Sequence, residues 1–368
     1  MIIKLDIPEK HFDDLSAIVI PDVNKLIHNK LSGTSSFIDS YEEKLSHWFN
    51  VNNAVALSSG SSAILMALYA LGINENDNVI VSALAPIPTL LPILQLGAKI
   101  IFVDTKKDSF EFDIADLSYA FEKFSPKCMI SVPVWGYPVL TQLVIDLAKD
   151  NNVEIIEDSA HAHGTIENGR FSGTIGSIGC FSTHENKILS TGEGGFILTE
   201  NNEIAGKIRS YSRLGGCDGS KVGFNYKISG MQALIGSYRI DSLKNNLSLR
   251  NKNAESILSV IRANCTEVQE IPYPLDSAPN YYCLGVLFND TSEDIFDVIE
   301  LSNSLGMHSN TVKYKIKPTY EYPIFNKYYR DCPNAKVLSR RITSIPTHPS
   351  LASEHLDHFY NIISSYWK

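Results

Sequence analysis

A single lysine, Lys187, follows an apolar run, Ile178 to Phe181, that ends in Ser182, Thr183 and His184. A lysine amine held partly out of water can condense with a carbonyl to give a Schiff base. An arbitrary lysine is far more often a solvated surface charge, so the neighbours decide. A second apolar run, Val153 to Ile156, leads directly into Glu157 and Asp158. Spacing does not choose between these two acids, and Asp158 could equally cap a helix. Upstream, Ala54 to Leu57 precedes Ser58-Ser59-Gly60-Ser61-Ser62 and then a run from Ala63 to Ala70 free of glycine and proline. A strand, a small polar turn and a helix start form a cradle for an anion. The first amides of a helix lack intrahelical partners, and the dipole favours negative charge there. Taken alone, that turn is more often a serine-capped helix with no ligand.

Together the groups mean more than each does singly. An amine for an aldehyde, a carboxylate for a pyridinium nitrogen and a cradle for a phosphate are the set a pyridoxal-phosphate site requires. Competing chemistries fare worse. His161 and His163 could be two metal ligands, but no third ligand cluster is in sight. Gly169, Gly173 and Gly176 do not form the dinucleotide fingerprint, and Ser58-Ser59-Gly60 is not a nucleophile elbow.

These residues need a scaffold. Strand patterns at Val79 to Val81, Lys99 to Val103, Cys128 to Val134 and Val153 to Ile156 alternate with helical ones at Thr89 to Leu96 and Val139 to Lys149. Such alternation predicts an α/β fold with a mainly parallel central sheet between helices. Ligands then sit beyond the carboxyl ends of the strands, where Asp158 and Ser182 fall. Helices are expected over 22–31, 40–49 and, proline-free, over 231–264. Pro272, Pro274 and Pro279 mark a junction before a smaller α+β unit with a strand at 281–288 and helices at 295–305 and 353–366. The expected division is 1–240 for the large cofactor-binding domain and 241–368 for the small C-terminal domain. The 368 residues suit two such units. A net charge of −9 argues against general nucleic-acid binding. Six dispersed cysteines without a CxxC pair, no signal-peptide pattern and no run long enough to span a bilayer point to a cytoplasmic protein with reduced thiols.

The motifs also carry a resemblance. Glu157-Asp158-Ser159-Ala160-His161-Ala162-His163-Gly164 resembles the EDAAQAHG signature of the DegT/DnrJ/StrS family, the fold-type-I, pyridoxal-phosphate-dependent aminotransferases of keto-sugars. Cys180 to Lys187 followed by Thr191-Gly192-Glu193-Gly194-Gly195 resembles its CFSFHPTK…TGEGG. Ser59 to Ala63 is similar to SGTAA, Gly223 to Lys227 to GYNYR, and Pro346-Thr347-His348-Pro349 to LPxHP. The likeness runs close to full length. It implies that Lys187 bonds the cofactor and shuttles protons, and that Asp158 pairs with the pyridinium nitrogen. Gly60, Ser61, Ser62 and Ser182 would cradle the phosphate. His161 would lie beside the phenolic oxygen. Asn225 would reach the phosphate of a neighbouring subunit, which implies a homodimer with shared sites; from charge and hydropathy, neither nucleic acid nor membrane is an expected partner.

Several positions depart from the family pattern, Ala85 in place of a threonine among them. Pro86 stands where an aromatic residue covers the cofactor ring, Pro133 where a histidine is usual, and Lys227 where an arginine is usual. An arginine-to-lysine change matters wherever a carboxylate is gripped bidentately. The implied activity is transfer of an amino group from an amino acid, glutamate foremost, to a nucleotide-linked keto-sugar, in surface-polysaccharide or natural-product sugar synthesis. Lys187 argues against the family's dehydratase branch, which carries histidine there. The alternatives are a cofactor-binding regulator or partner subunit with little catalysis, and an aminotransferase acting on a cyclic ketone without a nucleotide.

Overall fold

The computed structural model describes Val23, Ile27, His28, residues 31–289 and residues 294–367. Most of the helix expected over 22–31 lies outside the described residues; Val23, Ile27 and His28 are helical. The first half of the chain runs α1 Ser36–Phe49, β1 Asn53–Leu57, α2 Gly60–Ala70, β2 Asn78–Ser82, α3 Ile87–Gln95, β3 Lys99–Val103, α4 Ile114–Phe124, β4 Cys128–Ser131, α5 Gln142–Asp150 and β5 Glu154–Asp158. A short hairpin, β6 Ile166–Glu167 and β7 Arg170–Phe171, precedes β8 Ile178–Ser182 and β9 Gly195–Thr199. The remainder is α6 Asn202–Ser212, α7 Gly230–Asn264, β10 Val268–Glu270, β11 Leu284–Phe288, α8 Asp294–Ser304, α9 Asn310–Tyr314, α10 Pro333–Arg341, β12 Ile342–Ile345 and α11 Ser353–Tyr366.

The main sheet has seven strands in the order β1-β9-β8-β5-β4-β2-β3. Strands β8, β5, β4, β2 and β3 are parallel neighbours. Strand β9 is antiparallel to both β1 and β8, so it alone is reversed. The mainly parallel sheet read from the alternating pattern is therefore present. Its side chains divide by the strand period of two. Val79, Val81, Ile130 and Ile156 pack in the core with α2, whereas Ile80, Met129 and Ile155 pack with Leu117 and Phe121 of α4 and Val144 of α5. Both faces are covered, which is why these strands read as continuous apolar runs.

The strand expected over 128–134 stops at Ser131. Pro133 supplies no amide for a ladder bond, and Trp135 then takes a left-handed conformation with φ 57°. The proline-free stretch is one helix, α7, and the expected division at residue 240 falls within it. A second core gathers Ile257, Leu258 and Ile261 of α7 with Val286, Phe359 and Ile363. Against it stands the three-stranded antiparallel sheet β10-β11-β12. Among the described residues, no helix is long and apolar enough to cross a membrane.

Candidate active site

Asp158 pairs in register with Cys180, so β5 and β8 deliver their C-terminal residues to one edge of the sheet. Strand β1 runs parallel to β8 across the reversed β9 and brings the 58–62 turn to that edge. There α2 begins with a capping box. The Ser59 hydroxyl accepts from the Ser62 amide at 3.0 Å, and the Ser62 hydroxyl accepts from the Ser59 amide at 3.0 Å. Ser62 is thus engaged in building the turn, while Ser61 is exposed. The turn sits close against β8 and β9. A Cβ on Gly60 would lie 2.7 Å from the Ser182 Cβ, and one on Gly195 would lie 2.5 Å from the Ser59 carbonyl carbon and oxygen. Only glycine allows both approaches. The helix N-terminus and the Ser182 hydroxyl therefore face one small space.

The loop after Ser182 carries the lysine. Thr183 donates its amide to the Gly194 carbonyl at 2.8 Å and accepts from the Thr191 amide at 2.8 Å. The two threonine hydroxyls bond at 2.7 Å. Gly194, at φ 149°, would meet both hydroxyls if it carried a Cβ. This closed loop returns Lys187, half-buried, toward the end of β5. Its Nζ lies 5.4 Å from the ring centre of Tyr282. Its positive charge is felt by Asp158, His161 and His163.

The two neighbouring acids part company, because successive strand residues face opposite sides. Glu157 accepts from the amides of Gly173, Ile175 and Gly176 at 2.6–2.7 Å. Burial first, then the Glu167 charge, pushes its carboxyl up to about 7. It is bound into the scaffold. Asp158 accepts from the Thr89 hydroxyl at 2.6 Å and from the Ala160 amide at 3.3 Å. Burial raises its pKa, opposed by the Thr89 and Ala160 bonds and by Lys187. A cation brought against this carboxylate would offset the burial cost.

His161 follows one turn on. Its Nδ1 accepts from the Trp135 amide at 3.3 Å. Burial, then the charges of Lys187 and His163, hold its pKa well below the usual range. The ring is therefore neutral, and its proton resides on Nε2. His163 is also neutral, lowered to about 3 chiefly by burial. Among the described residues, no group of three or more His, Cys, Asp or Glu is placed to hold a metal. Pro86 is the half-buried residue before α3, and Thr89 lies one turn beyond it. Asn225 stands on an exposed loop and accepts from Lys227 Nζ at 2.6 Å.

The structure thus brings together Gly60, Ser182, Asp158, His161 and Lys187 and leaves Asn225 on the surface of this single chain. It adds Thr89, Trp135, Asn280 and Tyr282. Thr89 lies 69 residues from Asp158 in sequence, and Tyr282 comes from the approach to β11. No local pattern announces either one. The donor set suits pyridoxal phosphate: open helix amides and a hydroxyl for its phosphate, a buried carboxylate for its ring nitrogen, and an amine for its aldehyde. Two glycines keep the phosphate cradle clear of side chains.

The chain is similar to known proteins over nearly its whole length. The DegT/DnrJ/EryC1/StrS aminotransferase family matches over residues 14–364. GDP-perosamine synthase of Escherichia coli O157:H7 is 26% identical over 342 residues, 92% of each chain. The UDP-4-amino-4,6-dideoxy-N-acetyl-beta-L-altrosamine transaminase of Campylobacter jejuni serotype O:23/36 is 28% identical over 353 residues, 90% of each. The solved structure of S. venezuelae DesV superposes with a TM-score of 0.89 at 21% identity, covering 99% of this chain and 98% of that one.

Proposed function

Because the chain belongs to the DegT/DnrJ/EryC1/StrS aminotransferase family, whose members depend on pyridoxal phosphate, we propose that it moves an amino group from glutamate to a nucleotide-linked keto-sugar. The setting is synthesis of a surface polysaccharide or natural-product sugar in the cytoplasm. Two curated relatives are named for the making of nucleotide-linked amino sugars, GDP-perosamine in one and a UDP-linked amino sugar in the other. The observation that carries the reading for this chain is the single sheet edge shared by Asp158, Ser182, Lys187 and the start of α2.

When bound, the cofactor supplies a carbon that can exchange nitrogen and a ring that takes up an electron pair. The protein's part is binding, orientation and proton handling. The α2 amides and the Ser182 hydroxyl, with Ser61 at the open end of the turn, grip the phosphate. The Asp158 carboxylate, aimed by Thr89, keeps a proton on the ring nitrogen. His161 would donate from Nε2 to the phenolic oxygen, in the tautomer set by the Trp135 amide on Nδ1. Lys187 Nζ would be the base that takes the proton from the donor's α-carbon and the acid that delivers one to the carbon of the keto-sugar that receives nitrogen. Pro86 would cover one face of the ring.

We further propose a homodimer. Asn225 is exposed, and its loop displays Val222 at 72% and Phe224 at 54% exposure. A second copy covering that loop would bury this apolar surface and bring Asn225 to the neighbouring phosphate.

The test begins with the absorbance of the purified holoenzyme with and without glutamate. The bound-cofactor band should convert to that of the amino form. A panel of nucleotide keto-sugars with glutamate, glutamine and alanine then identifies donor and acceptor. Borohydride reduction should place the cofactor on Lys187, and Lys187→Ala should lose both band and turnover. An adduct mapped to any other lysine would falsify the assignment. Turnover of a free cyclic ketone in place of every nucleotide sugar would replace the proposed acceptor.

A further inference from the structure

The ring of Tyr282 touches both groups that flank the end of β5. Its centroid is 4.5 Å from that of His161 with an interplanar angle of 8°, a stacked pair. Lys187 Nζ lies 5.4 Å from the same centroid. The ring is held by the backbone on either side of the site. The Tyr282 amide donates to Asn280 Oδ1 at 2.8 Å. Asn280 Nδ2 donates to the carbonyls of His161 at 2.8 Å and His163 at 3.1 Å. The buried Arg250 donates to the Tyr282 carbonyl at 3.0 Å. Gly136 makes room for the latch, since a Cβ there would lie 1.9 Å from Asn280 Oδ1. Asn280 thus fastens the approach to β11 onto the turn after β5 and brings Tyr282 with it.

We propose that Tyr282 is a positioning residue for the transamination chemistry: its ring braces the His161 imidazole and holds the Lys187 amine in its charged form between proton transfers. The inference rests on the reading of Lys187 as the cofactor lysine. The negative face of an aromatic ring attracts an ammonium within about 6 Å and does not attract a neutral amine. The ring therefore favours the form of Nζ that carries the proton to be delivered to carbon. Flat stacking against His161 restricts rotation of the imidazole, so Nε2 keeps its aim. Neither effect needs the phenolic hydroxyl. A ring from beyond residue 240, on the approach to β11, thereby joins His161 and Lys187, and the C-terminal part of the chain enters the chemistry directly.

The experiment compares Tyr282→Phe with Tyr282→Leu. In cofactor-free protein, the rate of Lys187 trinitrophenylation is followed against pH and mapped by peptide mass spectrometry. The other titratable groups facing the amine, Asp158, His161, His163 and Cys283, are the same in both variants. Tyr282→Phe should keep the wild-type profile. Tyr282→Leu should lower the amine's midpoint, raising its reactivity below the midpoint about three- to tenfold. In holoenzyme the leucine variant should lose about tenfold in kcat with KM for the amino donor little changed. A Tyr282→Leu protein with the wild-type reactivity profile and kcat overturns the inference. So does a phenylalanine variant as impaired as the leucine one, because the hydroxyl would then be responsible. If Tyr282→Leu fails to fold, Tyr282→Met supplies the same comparison. Borohydride mapping of the wild-type lysine separates the two failures: an adduct on another lysine sinks the assignment of Lys187, whereas an adduct on Lys187 with unaffected variants sinks only the role of Tyr282.

Discussion

Thr89→Val removes one hydroxyl and little volume, and it isolates what holds Asp158. The Thr89 hydroxyl donates to Asp158 Oδ2 at 2.6 Å, with the two residues 1% and 6% exposed. A hydrogen bond to a charged acceptor contributes about 1.5–3 kcal/mol. At 1.36 kcal/mol per pKa unit, its loss corresponds to a rise of about 1–2 units. The direction follows from the causes already acting. Burial raises the Asp158 pKa, and Thr89 is foremost among the groups lowering it. A carboxyl whose folded pKa lies above its unfolded value favours the folded state only at low pH, and that advantage is lost as pH rises through the folded pKa. The valine protein, with a higher folded pKa still, should therefore be least stable relative to wild type at neutral pH. The deficit should be about 1.5–3 kcal/mol there and shrink below about pH 4, where both states are protonated. Urea unfolding of cofactor-free protein at pH 7 and pH 4 measures this. In holoenzyme the acid limb of kcat/KM should move upward by about 1–2 pH units, and Thr89→Ser should restore it. A deficit of equal size at both pH values would refute the reasoning, since the loss would then be one of packing and not of support for a carboxylate.

Gly195→Ala should cost well over the typical overpacking range of about 1–3 kcal/mol and abolish cofactor retention, because the new Cβ would meet backbone atoms of Ser59 and Phe181. Gly206→Ala in α6, where a Cβ meets nothing within 4 Å, should instead leave stability unchanged or raise it by up to about 1 kcal/mol; thermal unfolding and cofactor absorbance compare the two. Glu157, raised to about 7 in the folded protein, favours the folded state below its unfolded pKa of about 4.3, and this contribution is lost as pH rises through about 7. Glu157→Gln should accordingly flatten the decline of stability between about pH 5 and 8, read from unfolding midpoints across that range. Asp158→Asn should keep the fold by circular dichroism yet lose most turnover, since an amide cannot hold a proton on the ring nitrogen.

Much of the molecule was legible in the residues. Apolar runs alternating with amphipathic stretches predict a covered parallel sheet, because local patterns of period two and about 3.6 report directly which faces are buried. The ends of two such runs single out the Glu157–Asp158 pair and Ser182, and the serine-glycine turn before Ala63 announces the anion cradle. The first strand pair was harder to read. Strand β9 is reversed, yet Gly195 to Thr199 is as apolar as its parallel neighbours, so the sequence shows burial there without direction. The helix α10 and the strands β10 and β12 carry no comparable pattern. Their apolar residues are few, and they find partners only through packing: Ala335, Leu338 and Ile342 in the main core, Val268 and Ile345 in the second.

The groups around the site divide along the same line. An amine, two acids, a hydroxyl and an anion cradle each lie within a few residues of an apolar run, so the order of residues alone puts them at strand ends. Packing separates the two acids: Glu157 turns to the amides of residues 173–176, and Asp158 turns to Thr89. Only it supplied Thr89, the Trp135 amide, Asn280 and Tyr282, which reach the site through contacts between segments far apart in the chain. Residue type and local spacing encode which groups can do chemistry. Which group each one faces, and therefore its charge and its aim, depends on packing between distant elements, which local spacing does not record.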